Sequence, residues 1–196
     1  EGLVVWEMTH GGGHVLPLRN GNEIPSKPPF FHWLALLVSH ARGSVDELGM
    51  RLPSAILAVA AVVATYLFGA TTGRIRSGWL AAVALMFSFE WLRAARVARV
   101  DMTLTFFLCA ALLCFAIMQR SRVTRTRLWI FYASLAAATL GKGPVGVALP
   151  AFVILAFAFT SPLDPANAGP GASFIERIMA RTRHTLDTVR ALHPLP

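Results

Sequence analysis

Charged residues are scarce in this 196-residue sequence, because Asp, Glu, Lys and Arg together make up only 14% of it while 55% is hydrophobic. A water-soluble domain carries about 25% charged residues. The apolar residues are also distributed too unevenly for one globular core. These features exclude an ordinary soluble protein and predict that a lipid bilayer surrounds much of the chain.

Acidic residues are the scarcer of the two charge types, with 10 Asp and Glu against 18 Lys and Arg, so the formal net charge is +8. In a soluble protein this excess would suggest nucleic acid binding. Here the arginines lie in short loops between apolar runs, and membrane topology explains them because cytoplasmic loops retain Lys and Arg. We therefore expect no nucleic acid partner.

The sequence also lacks a cysteine framework and a recognisable start. Cys109 and Cys114 lie five residues apart in one apolar run, on different sides of a helix, which excludes a disulfide framework and a metal-type spacing. The first residue is Glu1, and the residues after it form neither the charged nor the apolar region of a signal peptide. We expect the sequence to be a piece of a longer protein.

Five apolar runs are candidate membrane spans. The first is uncharged and long enough to cross about 30 Å of hydrocarbon, whereas the second is short. Arginine-rich loops around 74–76 and 120–127 are predicted to be cytoplasmic, so the chain must cross twice between them. This requirement makes the second run a span and predicts an all-α, polytopic transmembrane helix bundle. The runs are 52–72, 78–89, 102–118, 128–140 and 145–160.

The regions that flank the bundle (residues 52–160) complete the organisation. Residues 1–51 form a polar loop, and its aromatic-rich segment 28–40 suits a helix lying at the membrane interface. This loop then shares the non-cytoplasmic face with residues 90–101 and with the turn at 141–144. Residues 161–196 are predicted to form a cytoplasmic linker and a juxtamembrane helix, whose alternative role is that of a simple connector.

Two lysines stand at turns on the non-cytoplasmic face. Lys27 lies in a loop whose prolines fix the backbone just before the interfacial helix, where its ammonium can meet a lipid phosphate. Lys142 lies in a tight Gly-Lys-Gly-Pro turn between two spans. For each lysine the alternative is a side chain that only anchors its loop to anionic headgroups.

Asp101 opens an apolar run and follows Arg93, Arg96 and Arg99, which would form one drifting stripe on a helix. A carboxylate beside cations at a membrane boundary stays ionised and can orient a hydroxyl or ligate a metal, and arginines can bind phosphate. The alternative is a helix N-terminal acid stabilised by the macrodipole. Arginines on a face that should hold little positive charge favour a functional role.

The histidines give only weak support for a metal site. His10 and His14 lie four residues apart, which would suit a metal on a helix, but three glycines between them argue against a helix. We interpret both of them, and His32, as ordinary interfacial histidines.

Short motifs of the sequence together resemble one family, the bacterial membrane glycosyltransferases of the GT-C fold related to protein O-mannosyltransferases and to the transferase that adds aminoarabinose to lipid A. Each motif alone is weak, but their order over about residues 1–150 is specific. The resemblance makes the five spans the second to sixth of the whole protein. The motifs are Glu1, Met8 with Gly12, Pro17 to Gly21, Lys27-Pro28-Pro29 with Trp33, Arg51-Leu52-Pro53-Ser54, Gly73-Arg74, Asp101 and Lys142-Gly143-Pro144.

The resemblance also implies roles for individual residues. Glu1 would be the second member of a catalytic acidic pair whose first member, an Asp, precedes it, and Asp101 would be a further acidic residue of the same cavity. Lys27 would bind the carrier phosphate, and we assign Arg96, Arg99 and Lys142 to substrate binding beside it. Ser26 stands where some relatives have an acidic residue that helps hold a metal, so a divalent metal cofactor is left open.

The activity implied is transfer of a sugar from a polyprenyl-phosphate donor to a lipid, glycan or protein acceptor, on the periplasmic face of a bacterial inner membrane. A base would activate the acceptor hydroxyl for attack on the anomeric carbon, while cations stabilise the departing polyprenyl phosphate. Two alternatives remain: a transporter or flippase-like bundle in which Asp101 is an ion site, and a truncated product without activity.

Overall fold

The protein is an all-α bundle. A computed structural model describes residues 1–160 except 12, 16, 21, 121 and 122, together with residues 187 and 190. The predicted juxtamembrane helix falls outside these residues. The described residues form eight α-helices, and apart from these one isolated β-bridge joins two residues of the N-terminal loop. The helices are α1 (Gly2–Thr9), α2 (Phe30–Arg42), α3 (Glu47–Thr71), α4 (Ile75–Met86), α5 (Phe89–Arg96), α6 (Val100–Arg120), α7 (Arg125–Lys142) and α8 (Val145–Thr160).

Five of these helices occupy the positions of the predicted spans, namely α3, α4, α6, α7 and α8. Among the described residues, α3 and α6 are long and apolar enough to cross a membrane, and α4 and α8 are shorter apolar helices. Ile56, Val59, Val63 and Leu67 point outward from α3 and are each about half exposed or more. Such a continuous apolar stripe would be unfavourable in water and is suited to lipid. The count of five spans stays a prediction.

Helix α3 begins at Glu47, five residues before the predicted start of the first span. The Asp46 carboxylate accepts a hydrogen bond of 2.7 Å from the Gly49 backbone N–H, which caps the helix. Pro53 therefore lies inside the helix instead of opening it. The segment from Glu47 to Arg51 thus adds a first turn to the helix before the predicted start of the span.

The predicted stripe of three arginines is wrong, because the segment from 89 to 101 is not one helix. Helix α5 ends at Arg96, and Val97 has an extended conformation, with φ −102° and ψ 134°. Arg93 forms an ion pair with Glu90 on the exposed side of α5. Arg99 lies in the break before α6, so the three arginines do not form one helical stripe.

A buried cluster packs the N-terminal helices onto the beginning of α6. Helix α1 was not predicted from the sequence. It contributes Val4, Val5 and Met8 to this cluster. A helix of eight residues is not stable alone in water, so α1 depends on the burial of these side chains. The break before α6 is fixed in the same cluster by Val100, which is fully buried. The cluster consists of Val4, Val5, Met8, Phe31, Ala35, Leu36, Met50 and Val100.

Helices α3 and α4 approach closely where two glycines face each other. A Cβ added at Gly78 would lie 2.7 Å from the Gly69 Cα atom and 2.9 Å from the Tyr66 carbonyl oxygen. Small residues at such a crossing let helix backbones pack tightly in a membrane, where hydrophobic association is absent.

We predict that Gly78→Leu separates α3 from α4 and destabilises the protein by about 1–3 kcal/mol or more, because the added side chain meets backbone atoms. The measurement is the thermal unfolding of the detergent-solubilised full-length protein. Ala84→Leu, on an exposed position of the same helix, is the control and should unfold with the wild type. Equal stability of both variants would contradict the close packing.

Candidate active site

Three polar side chains from the N-terminal part of the chain meet at one end of the bundle. The Lys27 Nζ donates to Glu1 Oε1 at 3.2 Å, and His32 Nε2 lies 2.7 Å from Glu1 Oε2. Glu1 precedes α1, Lys27 lies in the loop before α2, and His32 lies in the first turn of α2. One carboxylate therefore holds both an ammonium and an imidazole.

The loop between α1 and α2 is held in place by hydrogen bonds to these helices. The Asn20 backbone N–H donates to Glu7 Oε1 at 2.9 Å, and the Trp33 indole N–H donates to the His14 carbonyl oxygen at 2.7 Å. Because the prolines after Lys27 also restrict the backbone, the lysine is presented from a constrained loop. The position of its ammonium is thus set by the fold.

His32 is fully buried, which the sequence analysis did not foresee. An ionised carboxylate can only accept hydrogen bonds, so the imidazole must donate from Nε2. The Nδ1 atom is buried and has no hydrogen-bond partner among the described residues, so Nε2 makes the one hydrogen bond of this ring. The signal was available in the sequence, because His32 shares the i, i+3, i+4 spacing of the buried face with Ala35 and Leu36.

The Glu1 carboxylate stays ionised far below neutral pH. The hydrogen bond from His32, followed by that from Lys27, lowers the pKa of Glu1 below its ordinary value of 4.5, against the opposing effect of partial burial. The stabilisation from this carboxylate is present above pH 4.5 and is lost as the pH falls through the lowered pKa. Glu1 is therefore a fixed negative charge in the working range of the protein.

A second ion pair joins the start of α6 to the end of α7. The Lys142 Nζ donates to Asp101 Oδ1 at 2.6 Å, and both side chains are about two-fifths exposed. Asp101 is the second residue of α6, and Lys142 ends α7 immediately before Gly143, whose φ of 74° favours glycine. The two helices are therefore antiparallel neighbours whose charged ends meet.

The two ion pairs form one constellation. The charges of Lys27 and Arg99 also act on the Asp101 carboxylate at longer range. The structure thus brings together five of the six residues that the sequence analysis selected. We call this set, together with His32, the polar constellation. Its members are Glu1, Lys27, His32, Asp101, Lys142 and the more distant Arg99, and His32 belongs to it through its contact with Glu1.

A cavity of about 330 Å³ opens beside Asp101, between α5 and the first turns of α6. Its size is within the usual range for small-molecule sites. Guanidinium, carboxylate, hydroxyl and indole groups share its wall. The side chains that carry these groups are Ser88, Glu90, Trp91, Arg93, Arg99, Asp101 and Thr105.

Arg96, the sixth selected residue, lies elsewhere. It lines a different cavity, of about 580 Å³, between α5 and the first turns of α3. Arg96 and Arg99 would lie on one stripe only if their segment were one continuous helix, and the extended Val97 separates them. The structure therefore assigns Arg96 to separate surroundings.

Within the part of the chain that the structure describes, no three side chains of His, Cys, Asp or Glu lie close enough to hold a metal ion together. The carboxylates of Glu1 and Asp101 are each paired with an ammonium group.

Comparisons with known proteins agree on the fold and family. The crystal structure of ArnT from Cupriavidus metallidurans in the apo state matches with a TM-score of 0.74 at 20% identity, over 97% of this chain and 36% of that one. An uncharacterized protein of Aquifex aeolicus (strain VF5) is 33% identical over 151 residues, which are 75% of this chain and 29% of that protein. This chain therefore spans about a third of the length of these proteins.

The helix bundle and its likeness to ArnT define a membrane protein of the GT-C glycosyltransferase fold. A sequence model described as dolichyl-phosphate-mannose-protein mannosyltransferase matches residues 21–172, which is more than half of the chain. The chain belongs to that family. The resemblance drawn from the sequence motifs is thereby confirmed.

We predict that His32→Leu lowers any activity of the full-length protein that depends on this site by about tenfold or more, because Glu1 loses the donor that fixes its position and, with it, the position of Lys27. His32→Gln keeps an N–H donor on a side chain of similar reach and should retain most of the activity. The pKa of the Glu1 carboxylate should rise in His32→Leu, which carboxyl infrared bands recorded against pH can detect. Wild-type turnover and an unshifted carboxyl band in His32→Leu would contradict this positioning role.

Proposed function

We propose that the whole protein is a glycosyltransferase that moves a sugar from a polyprenyl-phosphate carrier to a hydroxyl acceptor, and that the polar constellation is part of its active site. One observation carries the proposal: carboxylate and ammonium groups from separate parts of the chain meet at one end of the helix bundle. The family membership and the GT-C fold support the same activity.

The proposed donor has a phosphodiester that carries one negative charge. When the bond between the anomeric carbon and the phosphate oxygen breaks, polyprenyl phosphate leaves as a monoester with a second negative charge. Lys27, Lys142 and Arg99 would stabilise this additional charge. Their attraction to the phosphate would therefore be stronger in the transition state than in the complex with the bound donor. The positions of the two lysines are already set by their ion pairs with Glu1 and Asp101.

Distinct roles are proposed for the two carboxylates. Glu1 accepts hydrogen bonds from both Lys27 and His32, which lower its pKa and make it a weaker general base, so Glu1 would position the Lys27 ammonium and would not remove a proton. Asp101 is more exposed and faces the 330 Å³ cavity. We assign to Asp101 the orientation of the acceptor hydroxyl, which attacks the anomeric carbon after losing its proton to a base.

The constellation is proposed to lie on the periplasmic face of a bacterial inner membrane. Helix α6 leads from Asp101 to Arg120, and α7 returns from Arg125 to Lys142. The arginines that join α6 to α7 thus lie at the end of the bundle opposite the constellation. Because short loops rich in arginine stay in the cytoplasm, the constellation would be on the other face, where lipid-linked sugars and their lipid, glycan or protein acceptors are within reach.

We predict that Asp101→Asn and Lys27→Ala each lower sugar transfer by the full-length protein at least about 100-fold, because each removes a charge from the reacting centre. Transfer from a radiolabelled polyprenyl-phosphate sugar is measured in proteoliposomes. Glu23→Gln and Arg120→Ala, which change exposed side chains elsewhere, are the matched controls and should transfer as the wild type does.

Near-normal transfer in both site variants would refute this assignment. Movement of a lipid-linked sugar across the vesicle membrane, without any bond formation to an acceptor, would instead identify a transporter.

A further inference from the structure

The cavity that contains Arg96 has an apolar floor and a charged rim. Leu48, Leu52 and Ala55 lie at i, i+4 and i+7 on α3 and share one face of that helix, and Ala95 of α5 closes the opposite wall. Farther along α3, Ile56 and Val59 are exposed apolar side chains. The floor therefore continues into the surface that faces lipid, which favours an occupant with a hydrocarbon chain.

The rim of this cavity carries both signs of charge, because Asp46, Glu47, Arg51 and Arg96 all line it. Asp46 is engaged in capping α3 and in an ion pair with Arg42. Glu47 and Arg51 form a largely exposed i, i+4 ion pair. Such a pair contributes little to stability, so the two side chains can bind a ligand instead of each other at a small cost in free energy. Within the described part of the chain, Arg96 forms no ion pair, which leaves its guanidinium available to a phosphate.

The rim carboxylates would repel a purely anionic headgroup, and the guanidinium groups would repel a purely cationic one. A headgroup with a phosphate and a nearby primary ammonium satisfies both, because guanidinium binds phosphate and a primary ammonium donates to carboxylate. We propose that the groove between α3 and α5 binds an aminophospholipid of the surrounding leaflet. Its phosphate lies at Arg96 and Arg51, its ammonium at Glu47, and one acyl chain along Leu52 and Ala55.

This lipid would act on the neighbouring site through α5. Helix α5 contributes Arg96 to the groove and Trp91, Arg93 and Ala94 to the cavity beside Asp101. No residue of α5 is buried in the bundle, so a lipid wedged against α3 would hold one wall of the Asp101 cavity in place. The lipid site itself does not depend on the proposed transfer activity.

Native mass spectrometry of the full-length protein in detergent tests the proposal, with palmitoyl-oleoyl lipids that carry ethanolamine, choline or glycerol headgroups. The unsubstituted protein should retain the ethanolamine lipid about fivefold better than the other two. Arg96→Ala should lower retention of all three lipids, whereas Glu47→Gln should remove only the preference for ethanolamine. Arg76→Ala, which changes an exposed arginine in the first turn of α4, beyond the C-terminal end of α3, is the control and should change nothing.

The proposal is overturned if Arg96→Ala retains the ethanolamine lipid as the unsubstituted protein does. It is equally overturned if the unsubstituted protein retains the choline or the glycerol lipid as well as the ethanolamine lipid, since the rim carboxylates would then take no part.

Discussion

An ionised carboxylate at the edge of a hydrocarbon layer needs an opposite charge beside it, and this requirement brings distant parts of the chain together. Glu1 is held by Lys27, and Asp101 by Lys142. Both pairs are partly exposed, so each contributes little to folding stability. Stability alone therefore does not explain why scarce acidic residues are gathered at one end of an apolar bundle. A ligand with its own charge does explain it, because the ammonium groups can be shared with a phosphate.

Packing between helices sets the positions of these charges. The buried cluster around Val5, Phe31 and Val100 fixes the N-terminal helices against the first turn of α6. A second buried cluster, which includes Phe115, Phe131 and Ile154, holds α6, α7 and α8 together. Gly143 then lets the chain turn directly after Lys142. The apolar interior thus acts as the scaffold that positions the polar constellation.

The sequence was sufficient for α2, for the helices at the five apolar runs and for most of the constellation, because long apolar runs and loop charge are strong local signals. It predicted that Asp101 and the Lys142 turn share a face, and the structure brings them into contact. It did not predict the break at Val97. The eight residues of α5 have an amphipathic pattern, and this pattern is the same whether the helix ends at Arg96 or continues into α6. The roles of His32 and Arg96 were missed for a related reason: burial and the neighbouring helix are tertiary properties.

The most direct test of the account is the accessibility of the two lysine positions in membrane vesicles of known orientation. Lys27→Cys and Lys142→Cys are made in the full-length protein after Cys109 and Cys114 are replaced by Ala, and a membrane-impermeant maleimide is applied from either side. The account predicts that both positions react from the same side, that polyprenyl phosphate slows both reactions, and that Ser77→Cys reacts from the other side. Labelling of positions 27 and 142 from opposite sides would contradict it.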